Sequence, residues 1–160
     1  MARDKENTLI LELKSGKVVI ALRPDLAPNH VARIKELARQ GFYDGIVFHR
    51  VIPGFMAQTG DPTGTGSGGS DLPDLKAEFS NEKHIKGTAS MARTNNPNSA
   101  NSQFFICFED APWLDRQYSV WGQVVEGMEH VDAIKKGDGS SGMVSGAPDK
   151  IVSMKVEADA

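Results

Sequence analysis

With a single cysteine, Cys107, among 160 residues, the chain has no partner for an internal disulfide, and its fold must rest on packing, as is usual in a reducing compartment. A cytoplasmic location is the expectation. No apolar stretch approaches membrane-spanning length: the first cluster, Leu9 to Leu11, stops at Glu12, and the segment Met1 to Asn7 before it is polar and charged. Runs rich in lysine or arginine are also missing, and a formal net charge of -3 gives no long-range pull toward phosphate backbones or anionic lipid. Nucleic acid and membranes are therefore not expected as partners. His30, His49, His84 and His130 are scattered, with no H-x-x-x-H pair, so metal-ligand spacing is lacking. No G-x-S-x-G elbow is present, which removes the commonest sign of a serine hydrolase.

What is present suits one soluble domain spanning 1–160: 39% of the residues are hydrophobic and 24% charged. Monomer is the default. Thr8 to Leu13 and Lys17 to Leu22 are rich in β-branched residues and flank Lys14-Ser15-Gly16, which reads as a hairpin. From Ala27 to Gln40, Val31, Ile34, Leu37 and Ala38 recur at helical spacing, with Pro28 suited to a first turn and Gly41 to the position after the end. Strand-like runs follow at Ile46 to Ile52, Phe55 to Thr59, Thr88 to Ala92, Phe104 to Phe108, Ser119 to Val125 and Lys150 to Val156. Gly127 to Lys136 offers a second helix. Many short strands without regular helix alternation predict a closed or nearly closed antiparallel barrel, because closure hides strand edges.

Two patterns invite chemistry that their context does not support. Gly64-Thr65-Gly66-Ser67-Gly68-Gly69 fits G-x-G-x-x-G, but a pyrophosphate site needs the third glycine to open a helix, and Ser70-Asp71-Leu72-Pro73-Asp74 follows instead. A surface loop is the expectation. Cys107 lies inside the apolar run Phe104 to Phe108, where a thiol acts as a small hydrophobe.

The segment from Phe48 to Asp61 is unusual: Arg50 and Gln58 interrupt two apolar strands joined at Pro53-Gly54. Alone, Arg50 could be a solvent-facing strand arginine. This segment, however, resembles the cyclophilin signature. The resemblance continues in Ser90-Met91-Ala92, in Ser102 to Cys107, in Trp113-Leu114-Asp115 and in Val120 to Val124, blocks in the right order over most of the chain. It implies an eight-stranded antiparallel β-barrel capped by two α-helices, of a compact, bacterial-like kind. It also implies peptidyl-prolyl cis-trans isomerase activity on X-Pro bonds, with proline-containing peptides and unfolded or nascent proteins as partners, cyclosporin-type cyclic peptides as a further ligand, and no cofactor.

Carried over by resemblance, Arg50 is the catalytic arginine, while Phe55, Met56, Phe105 and Leu114 receive the proline ring. Gln58 and Gln103 are polar positioning groups, Ala92 and Arg93 pair with the substrate backbone, Trp113 is the rim residue tied to cyclosporin binding, and Gly64 is a loop glycine beside the groove. Strand alternation independently puts Met56 with Gln58 on one face and Phe105 with Cys107 on one face; Phe55 needs a twist at Pro53-Gly54 to join Met56. Tyr118 stands where many cyclophilins carry histidine, and Arg93 where many carry asparagine, adding positive charge that favours acidic flanks. Apart from the resemblance, Met56 and Phe105 read equally as core and Trp113 as a packing residue. Two other functions compete: a module that holds proline-containing partners without turnover as its purpose, and a barrel enclosing a small cofactor, which Phe48, Phe104, Ile106 and Val124 would crowd out.

Overall fold

A computed structural model of the chain describes residues 4–137, 141–144 and 146–159. The expected hairpin forms as β1 (Thr8–Leu13) and β2 (Gly16–Leu22), antiparallel with Leu13 opposite Gly16. Helix α1 (Pro28–Arg39) starts with Pro28 in its first turn and ends in Gln40 and the left-handed Gly41. It packs against the strand sheet through Val31, Ile34, Leu37 and Ala38. Five strands follow: β3 (Arg50–Ile52), β4 (Met56–Thr59), β5 (Thr88–Met91), β6 (Phe104–Cys107) and β7 (Val120–Glu126). A short helix α2 (Met128–Asp132) and β8 (Ser153–Val156) complete the set.

The eight strands of the described residues belong to one antiparallel sheet in the order β3-β4-β6-β5-β7-β2-β1-β8. Bulges at Val19/Ile20 and Ala89/Ser90 sharpen its curl. The expected closed barrel does not form: the sheet is a curled half-barrel whose end strands share no ladder. Its edges are drawn together by loop backbone instead. Phe48 N–H donates to Asp149 O at 2.8 Å, Ile151 N–H to Ile46 O at 2.8 Å, and Val47 bridges Lys150. Closure is prevented because the free edge of β3 is already taken: Val51 N–H donates to Gly142 O at 2.7 Å and Val144 N–H to His49 O at 3.1 Å. For the same reason the run expected from Ile46 yields only three strand residues, and β8 starts three residues later than Lys150.

The second helix is also shorter than Gly127 to Lys136. Gly127 adopts a left-handed φ of 84° at its start, and after Asp132 the chain tightens, Ile134 N–H donating to Val131 O at 3.1 Å. Val131 and Ile134 are the residues that this turn buries.

The inner face of the sheet holds the main core. Trp121, Tyr43, Phe48, Phe104 and Ile106 are fully buried there, with Phe104 edge-on to both Tyr43 and Trp121 at ring distances of 5.5 and 5.3 Å. Val124 is only half-buried and packs at the margin. Truncating Phe104 to alanine in such packing costs about 3–5 kcal/mol. A second, smaller apolar cluster lies on the opposite face, made of Met56, Phe105, Cys107, Ala111 and Leu114.

Candidate active site

The outer cluster follows from strand register. Arg50 lies opposite Gln58, Ile52 opposite Met56, Gln58 opposite Phe105 and Met56 opposite Cys107 across β3, β4 and β6. Since alternate residues face opposite ways, Val51, Ala57, Phe104 and Ile106 enter the main core. Arg50, Met56, Gln58, Phe105 and Cys107 are left on the outside. Phe55 joins them through the turn at Pro53-Gly54, where Gly54 has φ of 74° and Phe55 N–H donates to Ile52 O at 3.0 Å. A 3₁₀ turn, Pro112–Leu114, lays Leu114 against the cluster and leaves Trp113 at the rim, 63% exposed, its ring 5.4 Å from that of Phe55.

These residues enclose a cavity of about 330 Å³ lined by Arg50, Phe55, Met56, Gln58, Ala92, Arg93, Phe105, Trp113, Leu114 and Tyr118. Among the described residues, the charged groups of its lining are two arginines, and no carboxylate lines it. Arg50 is held at two points: Nε donates to Ser141 O at 2.8 Å and Nη1 to Gln58 Oε1 at 3.3 Å. Gln58 Nε2 in turn donates to Gln103 Oε1 at 2.9 Å, and Gln103 Nε2 donates to Gly66 O and Gly68 O at 3.0 and 2.9 Å. Each amide spends its acceptor on one neighbour and its donors on the next, which fixes both side-chain flips and the plane of the guanidinium. Among the described residues, no carboxylate pairs with Arg50.

A second cavity, of about 530 Å³, adjoins the first and is polar, with Ser67, Ser70, Asp74, Ser99, Asn101 and Gln103 in its lining. Gln58, Ala92 and Arg93 line both. Gly64 is not brought to either: a Cβ on it would meet Val47 at 3.3 Å, and the loop glycines at the polar cavity are Gly66, Gly68 and Gly69. The glycine-rich loop wraps the chain's own carboxylate. Asp61, 1% exposed, accepts from the Thr63, Thr65 and Gly66 amides at 2.8, 3.1 and 2.6 Å and from the Thr63 hydroxyl at 2.7 Å. Burial opposes the Asp61 charge, but these donors outweigh it and hold the carboxyl well below the usual range. The amides that a phosphate would need are already occupied.

Beneath the apolar wall lies a polar group that sequence reasoning did not assign. His84, fully buried, stacks on Phe105 at a ring distance of 6.2 Å and meets Tyr118 edge-on at 6.4 Å. Its Nδ1 faces Asp115 Oδ1 at 3.2 Å and its Nε2 faces Ser90 Oγ at 3.0 Å. Burial pushes the imidazole pKa down, with Asp115 opposing. Ser90 and Asp115 sit inside the sequence blocks that carry the family resemblance, but nothing local in the sequence ties them to His84. The Ser141 carbonyl was equally invisible, since a main-chain acceptor leaves no mark in residue type. Cys107, behind Met56, has its thiol pushed up to about 12 by burial, with Asp115 and Asp110 adding to the shift.

Residues 8–156 match the family described as "Cyclophilin type peptidyl-prolyl cis-trans isomerase/CLD". The chain is a member of that family. A Brucella suis protein named "Probable peptidyl-prolyl cis-trans isomerase" is 56% identical over 99% of this chain and 86% of its own length. A Synechococcus elongatus peptidyl-prolyl cis-trans isomerase is 40% identical over 94% and 97%. Among solved structures, a cyclophilin from Hirschia baltica superposes with a TM-score of 0.89 at 32% identity, covering 100% of this chain and 77% of that one. A Cryptosporidium parvum cyclophilin type isomerase crystallised in the presence of the dipeptide Ala-Pro gives 0.84 at 27% identity, over 93% and 98%. This cyclophilin is accordingly a peptidyl-prolyl cis-trans isomerase.

Proposed function

We propose that X-Pro rotation takes place over the Phe55–Met56–Phe105–Leu114 wall, with Arg50 as the catalytic residue. The observation that carries this is a guanidinium tied at Nε and Nη1 in the lining of an apolar cavity, with no carboxylate among the described residues paired to it. Resonance sets a barrier of about 18–20 kcal/mol to rotation, and uncatalysed exchange takes roughly tens to hundreds of seconds. At the twisted transition state the proline nitrogen pyramidalises and offers its lone pair. A fixed donor aimed there binds that state better than either planar isomer. Nε and one Nη1 hydrogen serve the scaffold, which leaves N–H groups of the guanidinium for the substrate. The apolar wall holds the pyrrolidine ring and keeps water from weakening the contact. Gln58 orients Arg50, and Gln103 orients Gln58.

The substrates are proline-containing segments of unfolded or nascent chains, handled by one domain over 1–160 acting as a monomer. The single cysteine supports a cytoplasmic setting. Trp113, exposed at the rim against Phe55, supports contact with cyclosporin-type cyclic peptides.

Exchange NMR on an Ala-Pro peptide, with the native protein and with Arg50→Ala, tests the assignment. Arg50→Ala lowers kcat/KM by about a hundredfold or more, as removal of a preorganised donor does, while peptide affinity is largely kept. Equal exchange rates in the two proteins would return the groove to a simple binding module.

A further inference from the structure

We infer that Arg93, laid flat on Tyr118, is a specificity-determining residue that favours substrates with a carboxylate side chain close to the proline. The inference rests on the proline-pocket reading above. Of the three residues that line both cavities, Gln58, Ala92 and Arg93, only Arg93 is charged. A peptide running from the apolar cavity into the polar one must pass its guanidinium.

That guanidinium has a defined place. Its centre lies 4.6 Å from the Tyr118 ring centroid, a cation–π distance. Nε and Nη2 donate to Gln117 O at 3.1 and 2.8 Å, and Nη1 donates to Thr94 O at 2.9 Å. Arginine has five N–H donors, so two remain for a ligand. Tyr118 thus serves two walls at once: its ring meets Phe105 edge-on at 5.6 Å on the proline side and supports Arg93 on the other.

The local charge is opposite in sign to that of the molecule. The chain carries -3 overall, yet the apolar cavity is lined by Arg50 and Arg93 with no carboxylate among the described residues to offset them. Of these two cavities Asp74 lines the polar one; it is exposed and accepts from Asn101 Nδ2 at 3.0 Å. With Arg50 engaged at the proline itself, an acidic side chain flanking the proline meets Arg93, whereas a basic one meets repulsion until it reaches Asp74.

The test uses X-Pro peptides carrying Asp, Ala or Lys within two residues of the proline, followed by exchange NMR at low and high salt. With native protein, kcat/KM for the Asp peptides exceeds that for the Lys peptides by about fivefold at low salt, the size of a partly exposed charge pair, and salt shrinks the ratio. Arg93→Gln brings the ratio to about one, and Arg93→Glu inverts it, as a loss and a reversal of that pair. A native ratio of one overturns the inference, and so does a ratio that survives Arg93→Gln. Failure of the native protein to turn over the Ala peptide would instead strike the proline-pocket reading.

Discussion

At the scale of single residues, the site depends on how firmly one arginine is aimed. Gln58 is the middle link of the chain from Ser141 O through Arg50 and Gln103 to the Gly66 and Gly68 carbonyls. Gln58→Leu keeps the side-chain bulk but gives Arg50 Nη1 no acceptor and Gln103 Oε1 no donor. The expected result is a drop in kcat of about tenfold with KM little changed, because the lost interaction orients a transition-state donor. Stopped-flow or exchange measurements at saturating peptide would show it; a rise in KM alone would mean that Gln58 serves ground-state binding instead. The sequence exposed Arg50 and Gln58 because polar residues inside apolar strands are conspicuous, whereas Gln103, just before β6, was marked only by the family resemblance. It hid His84 because a buried histidine satisfied by Asp115 and Ser90 looks, in one dimension, like any scattered histidine.

At the scale of elements, alternation in β4 and β6 was readable from residue type alone, and it sorts Met56, Gln58 and Phe105 from Ala57, Phe104 and Ile106. What could not be read was the seam. Gly142, Met143 and Val144 belong to a stretch rich in Gly and Ser that looks like a plain loop, yet its backbone occupies the edge of β3 and displaces β8 from it. Sequence periodicity reports which face a strand buries and says nothing about which backbone fills its edge. The seam bears on catalysis, since Ser141 O accepts from Arg50 Nε. Gly142 has φ of 73°, and a Cβ there would collide with Ile52 Cγ1. Gly142→Ala therefore pushes this backbone off β3 and loosens the guanidinium. We expect kcat to fall several-fold, with amide exchange at Val51, the donor to Gly142 O, markedly faster than in the native protein. Native exchange at Val51 together with native kcat would show that the seam does not position Arg50.

For the molecule as a whole, the buried titratable groups set two separate acid limits on stability. His30, His49 and His84 are buried, and burial lowers each pKa from 6.5 against the opposing pull of Glu78, Asp61 and Asp115 respectively. The unfolded chain therefore takes up these protons first. Stability is complete above 6.5 and falls as the pH drops below it toward the lowered native values. Asp61 is a carboxylate whose native pKa lies far under 3.8, so its contribution persists until the pH falls through 3.8 and is lost below. Urea midpoints should be level at about pH 7.5, decline by about pH 5.5, and decline again only under strongly acid conditions. His84→Gln, which keeps a polar group between Asp115 and Ser90, should lower the midpoint near neutrality but flatten the first decline. The Asp61 limb should stay where it is in that variant. A midpoint that does not change between about pH 7.5 and pH 5.5 would mean that the three imidazoles are protonated as easily in the folded chain as in the unfolded one. Burial would then not be what governs them.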